Sequence, residues 1–79
     1  MKGVANHRRV QIVELLHRQP ELSLMEIATA LSINFKTAGE HTRRLVLSGL
    51  VMKRNAGVAV RHRLTRQGAY VLKFLRTLE

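Results

Sequence analysis

The sequence predicts a mainly α domain carrying one small β-hairpin, with elements in the order α-α-α-β-β-α and a short extra strand near Leu22. Three observations carry this expectation. Apolar residues recur at helical spacing in four separate stretches. Two of the helices, ahead of the hairpin, are separated only by the polar turn Ser32-Ile33-Asn34. After Gly49 the pattern switches to strict alternation, and it becomes helical again after Thr65.

The first helix is expected from about Asn6 to Arg18, where Val10, Ile12, Val13, Leu15 and Leu16 supply a wide apolar face and Pro20 stops it. Ser23 is an N-cap, and Glu26 completes a capping box in which each side chain satisfies the other's exposed backbone N–H. The short helix that follows carries Leu24, Ile27, Ala28 and Leu31 on one stripe, leaving Glu26 and Thr29 to solvent. Ile33 can plug the angle of the turn, and Asn34 caps the third helix, Phe35 to about Ser48. Ala38, Leu45 and the methyl of Thr42 share its inner face, whereas Lys36, Thr37, Glu40, Arg43 and Arg44 project elsewhere. Gly49 closes it as a C-terminal glycine.

The alternation then puts Leu50, Met52 and Arg54 on one side and Val51, Lys53 and Asn55 on the other, up to a turn at Ala56 and Gly57. The return strand, Val58 to Leu64, places Val60, His62 and Leu64 opposite Arg61 and Arg63. Thr65 caps the last helix, Arg66 to Leu78. Its apolar residues Tyr70, Val71, Leu72, Phe74, Leu75 and Leu78 fill an arc of about 200°, roughly twice what packing on one side requires. The surplus is expected to meet either the first helix or a second copy of the chain.

Composition bounds the function. Residues 1–79 are expected to form a single domain with an aliphatic core, since 46% of residues are hydrophobic and only three are aromatic. Without cysteine there is no disulfide frame and no thiolate metal site. The apolar runs fall short of the ~18 residues that cross a bilayer, and MKGVANHRR lacks a signal-peptide core, so no membrane partner and a cytoplasmic location are expected. His7, His17, His41 and His62 are spread over three elements at no metal-ligand spacing; His41 and His62 are expected to face the interior or make a polar contact there. Glu14, Glu21, Glu26, Glu40 and Glu79 read as caps and solvated faces, and Gly49, Gly57 and Gly68 as local turns or caps. No cofactor, metal, catalytic residue or enzymatic activity is expected.

Charge points to a polyanion. The net charge is +9, and residues 41–79 hold nine Lys or Arg against Glu79 alone, while residues 1–40 hold five against four Glu.

The marks Leu31-Ser32, Thr37-Ala38, His41, Leu45 and Gly49-Leu50-Val51, followed by Leu64-Thr65-x-x-Gly68, resemble the winged helix-turn-helix of small prokaryotic transcription regulators, of the ArsR and MarR repressor types. The chain departs from their pattern at Gly39, where Ser is usual, at Thr42, usually apolar, and at Val46 and Leu47, usually charged. Gly39 weakens the helix by roughly 1 kcal/mol relative to Ala and is expected to remove a side chain from the DNA side.

The expected function is sequence-selective binding of double-stranded DNA by a homodimer, with repression by promoter occlusion and no identifiable effector. Lys36, Thr37 and Glu40 are candidates for base edges or, for the first two, phosphate; Glu40 can instead pair with Arg43 or Arg44. Arg43, Arg44 and the wing residues Lys53, Arg54, Arg61 and Arg63 are expected on phosphates or in the minor groove. Tyr70, Val71, Phe74, Leu75 and Leu78 are the candidate dimer interface. Two other readings stay open: a protein-interaction module of transcription or replication machinery, favoured by apolar Val46 and Leu47, and an RNA-binding winged helix, disfavoured by the scarcity of aromatics.

Overall fold

The structure is a computed structural model that describes residues 2–78, with side chains from residue 7 onward. Its elements are α1 (Lys2–Arg18), α2 (Leu24–Leu31), α3 (Phe35–Leu47), β1 (Val51–Ala56), β2 (Ala59–Leu64) and α4 (Arg66–Thr77). The expected order holds: a winged helix fold. Helix α1 begins about one turn earlier than the Asn6 that periodicity suggested.

Local chemistry sets each boundary. Ser23 accepts from the Glu26 N–H while the Glu26 carboxylate accepts from the Ser23 N–H at 2.8 Å, completing the capping box. Asn34 caps α3 by accepting from the Thr37 N–H at 2.8 Å. At the far end, Gly49 takes φ +82° and the Leu50 N–H reaches back to the Leu45 carbonyl, the closing bond of a Schellman-type stop. The hairpin turn falls at Gly57 and Val58, one residue later than the alternation implied. Gly57 at φ +66° occupies the first turn position, where a tight hairpin wants positive φ.

The core is aliphatic, as composition predicts. Ile12, Val13, Leu15 and Leu16 of α1 meet Ile27, Leu45, Val51 and Leu72, so α1 lies at the centre of the domain. Val46 also packs against this cluster, which removes half of the argument that its apolar character marks a partner surface; Leu47 remains exposed. Thr42 is buried through the inner face of α3, as expected from its methyl.

The extra strand expected near Leu22 is present as a bridge to β2. The His62 N–H donates to the Leu22 carbonyl and the Glu21 N–H to the His62 carbonyl, each at 2.9 Å. His62 is buried as predicted, and its Nδ1 lies 2.9 Å from the same Leu22 oxygen; because a carbonyl only accepts, Nδ1 carries the proton.

The two sequence marks that bracket the hairpin touch each other. The Thr65 hydroxyl donates to the Gly49 carbonyl at 2.6 Å and accepts from the Gly68 N–H at 3.0 Å, while the Thr65 N–H donates to the Leu50 carbonyl. Gly68 is therefore more than a local cap. A Cβ there would lie 2.1 Å from the Leu50 oxygen, so the residue is glycine because α4 presses onto the backbone entering β1.

Candidate nucleic-acid interface

Helix α3 stands out from the domain on a two-sided pattern. Ala38, Thr42 and Leu45 are buried beneath it, and Lys36, Glu40, Arg43 and Arg44 are exposed on its outer side. Thr37 is half-buried, and its backbone N–H donates to the Asn34 cap. Glu40 forms no ion pair with Arg43 or Arg44 among the described residues, so the expected intrahelical pairing is not made. Gly39 corrects a second expectation. The direction its Cβ would take leads to Leu24 at 3.4 Å, so it faces α2, and its lack of a side chain subtracts nothing from the outer surface.

The hairpin register decides where the wing cations go. Arg54 pairs across the sheet with Arg61, and Met52 with Arg63, so three arginines share one face, while Lys53 lies opposite His62 on the other. Like charges directly opposite each other repel. Here a single carboxylate relieves them. Arg54 donates to the Glu21 carboxylate through Nε at 3.0 Å and through Nη2; Arg63 lies 3.5 Å from its second oxygen; Arg61 donates to the Glu21 backbone carbonyl at 2.9 Å and lies 3.9 Å from Glu26. The bond from Arg54, aided by the charges of Arg63 and Arg61, holds the Glu21 carboxyl below its usual value against a smaller desolvation effect.

Glu21 is thus not the cap or solvated face that the sequence suggested. It sits at φ +71°, a left-handed conformation that costs a non-glycine residue, and it is held there by the bonds to His62 and Arg61. Arg54, Arg61 and Arg63, expected as free cations, are tethered to it. Lys53 alone of the four wing candidates lies outside the Glu21 cluster; it borders a cavity with Leu24, Gly39, Thr42, Arg43 and His62. A signal for Glu21 was available, since a strand at Leu22 paired to β2 brings the preceding residue beside the arginine face.

The last helix divides its apolar arc. Leu72 is buried and Val71 and Leu75 are half-buried, whereas Tyr70, Phe74 and Leu78 are 67%, 63% and 68% exposed. Packing against α1 therefore consumes only part of the arc. Among the described residues no group of His, Asp or Glu side chains has a metal-binding arrangement, and no helix is long and apolar enough to cross a membrane.

No family model matches the chain, and no curated protein does. Solved structures do. The homodimeric winged helix-turn-helix DNA-binding domain of Mb0332 from Mycobacterium bovis, a possible ArsR-family transcriptional regulator, is 32% identical with a TM-score of 0.83, over 98% of this chain and 71% of that one. FabT of Streptococcus pneumoniae, solved in complex with DNA, shares 12% identity at a TM-score of 0.80 over 89% of this chain and 51% of its own. MarR from E. coli, in its oxidized form, shares 20% at 0.84, over 89% and 52%. At these lower identities the likeness is one of fold, and the chain spans about half the length of FabT and MarR. Fold and the 32% identity to the Mycobacterium bovis domain agree with the Gly-Leu-Val and Leu-Thr-x-x-Gly marks: the chain belongs to the winged helix-turn-helix transcriptional regulators of the ArsR type.

Proposed function

We propose that the chain binds double-stranded DNA sequence-selectively as a cytoplasmic homodimer and represses transcription by occluding promoter DNA. The whole of residues 1–79 acts as one DNA-binding unit in this reading. The observation that carries it is the outer side of α3, where Lys36, Arg43 and Arg44 are exposed and enter no ion pair among the described residues. Exposed cations that the protein does not neutralise are the groups that phosphate and base edges can take up. Lys36 and Thr37, at the start of a capped helix, are assigned to base edges, with Glu40 available to accept from cytosine N4. Arg43, Arg44 and Lys53 are assigned to phosphate. Arg54, Arg61 and Arg63 first position the wing through Glu21 and contact DNA with whatever charge that pairing leaves. The Mycobacterium bovis domain is described as homodimeric, and the exposed Tyr70, Phe74 and Leu78, flanked by Val71 and Leu75, are the apolar surface assigned to self-association here.

A titration of duplex DNA against salt tests the reading. Log K should fall linearly with log[salt], with a slope of about −0.9 per phosphate contact. Absence of duplex binding at low salt would refute it.

A further inference from the structure

Where α1 crosses α3, Arg9, Glu40, His41, Arg43 and Arg44 line a cavity of about 390 Å³. Among the described residues none of the three guanidinium groups has a carboxylate partner, and Glu40 has no cation bound to it. Two nitrogens in its walls, Arg9 Nε and His41 Nδ1, are buried without a hydrogen-bond partner. A buried donor left unmatched costs free energy, and a guanidinium cannot shed its charge to avoid that cost. The cluster is therefore incomplete as it stands. Three guanidinium charges against Glu40 leave two positive charges in excess when His41 is neutral, so a carboxylate would leave half of the excess unbalanced and a phosphate dianion would balance it. The planar fork of arginine also matches phosphate oxygens in pairs.

We propose that this α1–α3 cavity is a phosphate-binding site, with Arg9, His41, Arg43 and Arg44 as its ligands. It extends the surface read from the sequence, in which Arg9 and His41 had no binding role. The phosphate comes from one of two sources, the backbone of bound DNA or a free phosphate-bearing molecule.

His41 provides an internal reporter. Burial first, then the charges of Arg9, Arg44 and Arg8, hold its pKa below the ordinary value, opposed only by Glu40; Arg43 also borders the cavity. A bound phosphate offsets those cations, so His41 should take up its proton at higher pH when the site is filled. The test is an NMR titration of the full chain with inorganic phosphate, matched in ionic strength by chloride. The expected result is saturable shifts at the Arg9 Nε–H and the His41 ring, with His41 titrating at higher pH in phosphate than in chloride. Arg9→Gln should abolish saturation, and Arg44→Gln, at an exposed position that leaves folding untouched, should weaken it several-fold. Equal responses to phosphate and chloride would overturn the proposal. Adding duplex separates the sources. Displacement of phosphate by duplex, with the salt slope of Arg9→Gln reduced by about one unit, identifies the DNA backbone. Simultaneous binding of both identifies a free ligand. If phosphate binds and duplex does not, the cavity stands and the DNA reading falls.

Discussion

Replacing Gly68 by Ala should destabilise the domain although it improves the helix. In isolation the change favours α4 by about 1 kcal/mol, the difference in helix propensity between the two residues. The structure reverses the sign. The new Cβ would sit 2.1 Å from the Leu50 oxygen, 3.1 Å from the Leu50 carbonyl carbon and 3.2 Å from Leu64 Cδ2. Relief requires about an ångström of movement, and the Leu50 carbonyl cannot turn aside, because it already accepts the Thr65 N–H at 3.1 Å beside the Thr65–Gly49 bond. Overpacking costs typically 1–3 kcal/mol, and disturbing the Thr65 cap adds about 1 kcal/mol. After subtracting the helix gain, a net loss of about 2 kcal/mol remains, equivalent to a fall in Tm of roughly 8–16 °C for a domain of this size. Gly39→Ala is the internal control. Its Cβ meets only Leu24 Cδ2, at an ordinary 3.4 Å, so the helix gain of up to about 1 kcal/mol should survive. Thermal and urea unfolding followed by circular dichroism would measure both variants. A Gly68→Ala protein as stable as the parent would refute the close-approach argument.

Further outcomes follow from the same geometry. Glu21→Gln should release Arg54 and Arg63, leaving Arg61 on the Glu21 backbone carbonyl, and so tighten binding to every duplex and steepen its salt dependence; unchanged slopes would show that Arg54 and Arg63 never reach DNA. Because the Glu21 carboxyl titrates below its usual 4.5 in the folded chain, its contribution to stability is present above that pH and lost as pH falls through the lowered value, so Glu21→Gln should flatten this part of the acid-unfolding profile. Lys36→Ala should change which sequences are preferred, by roughly 1–3 kcal/mol if the lysine meets a base, whereas Lys53→Ala should weaken all duplexes alike and lower the salt slope by about one unit. Equal losses on a selected and a scrambled site for Lys36→Ala would mark it as a phosphate anchor. Phe74→Glu, at a position exposed in the single chain, should leave folding intact and convert a dimer to a monomer in light scattering; unchanged mass would move the interface elsewhere.

The sequence by itself determined the helix caps, the stop at Gly49 and the strand faces, which depend on neighbours in the chain. Capping by Ser23, Asn34 and Thr65 is a matter of a side chain reaching an N–H three residues away, and the stop at Gly49 needs only one residue at positive φ. Alternation likewise separated Arg61 and Arg63 from His62 before any partner strand was known, because successive side chains in a strand point to opposite faces. Tertiary structure decided what those side chains meet. Arg54 opposes Arg61 only through the hairpin register, and Glu21 reaches both only because Leu22 bridges to His62, forty residues away in number. The meaning of Gly39 and Gly68 was hidden for the same reason: each is set by the backbone or side chain of another element, at distances that no local spacing encodes. Charge counting placed the cations in the second half of the chain, but whether a cation is free or neutralised depends on which carboxylate folding brings within a few ångströms, since ionic attraction falls with distance in space and not with separation along the chain.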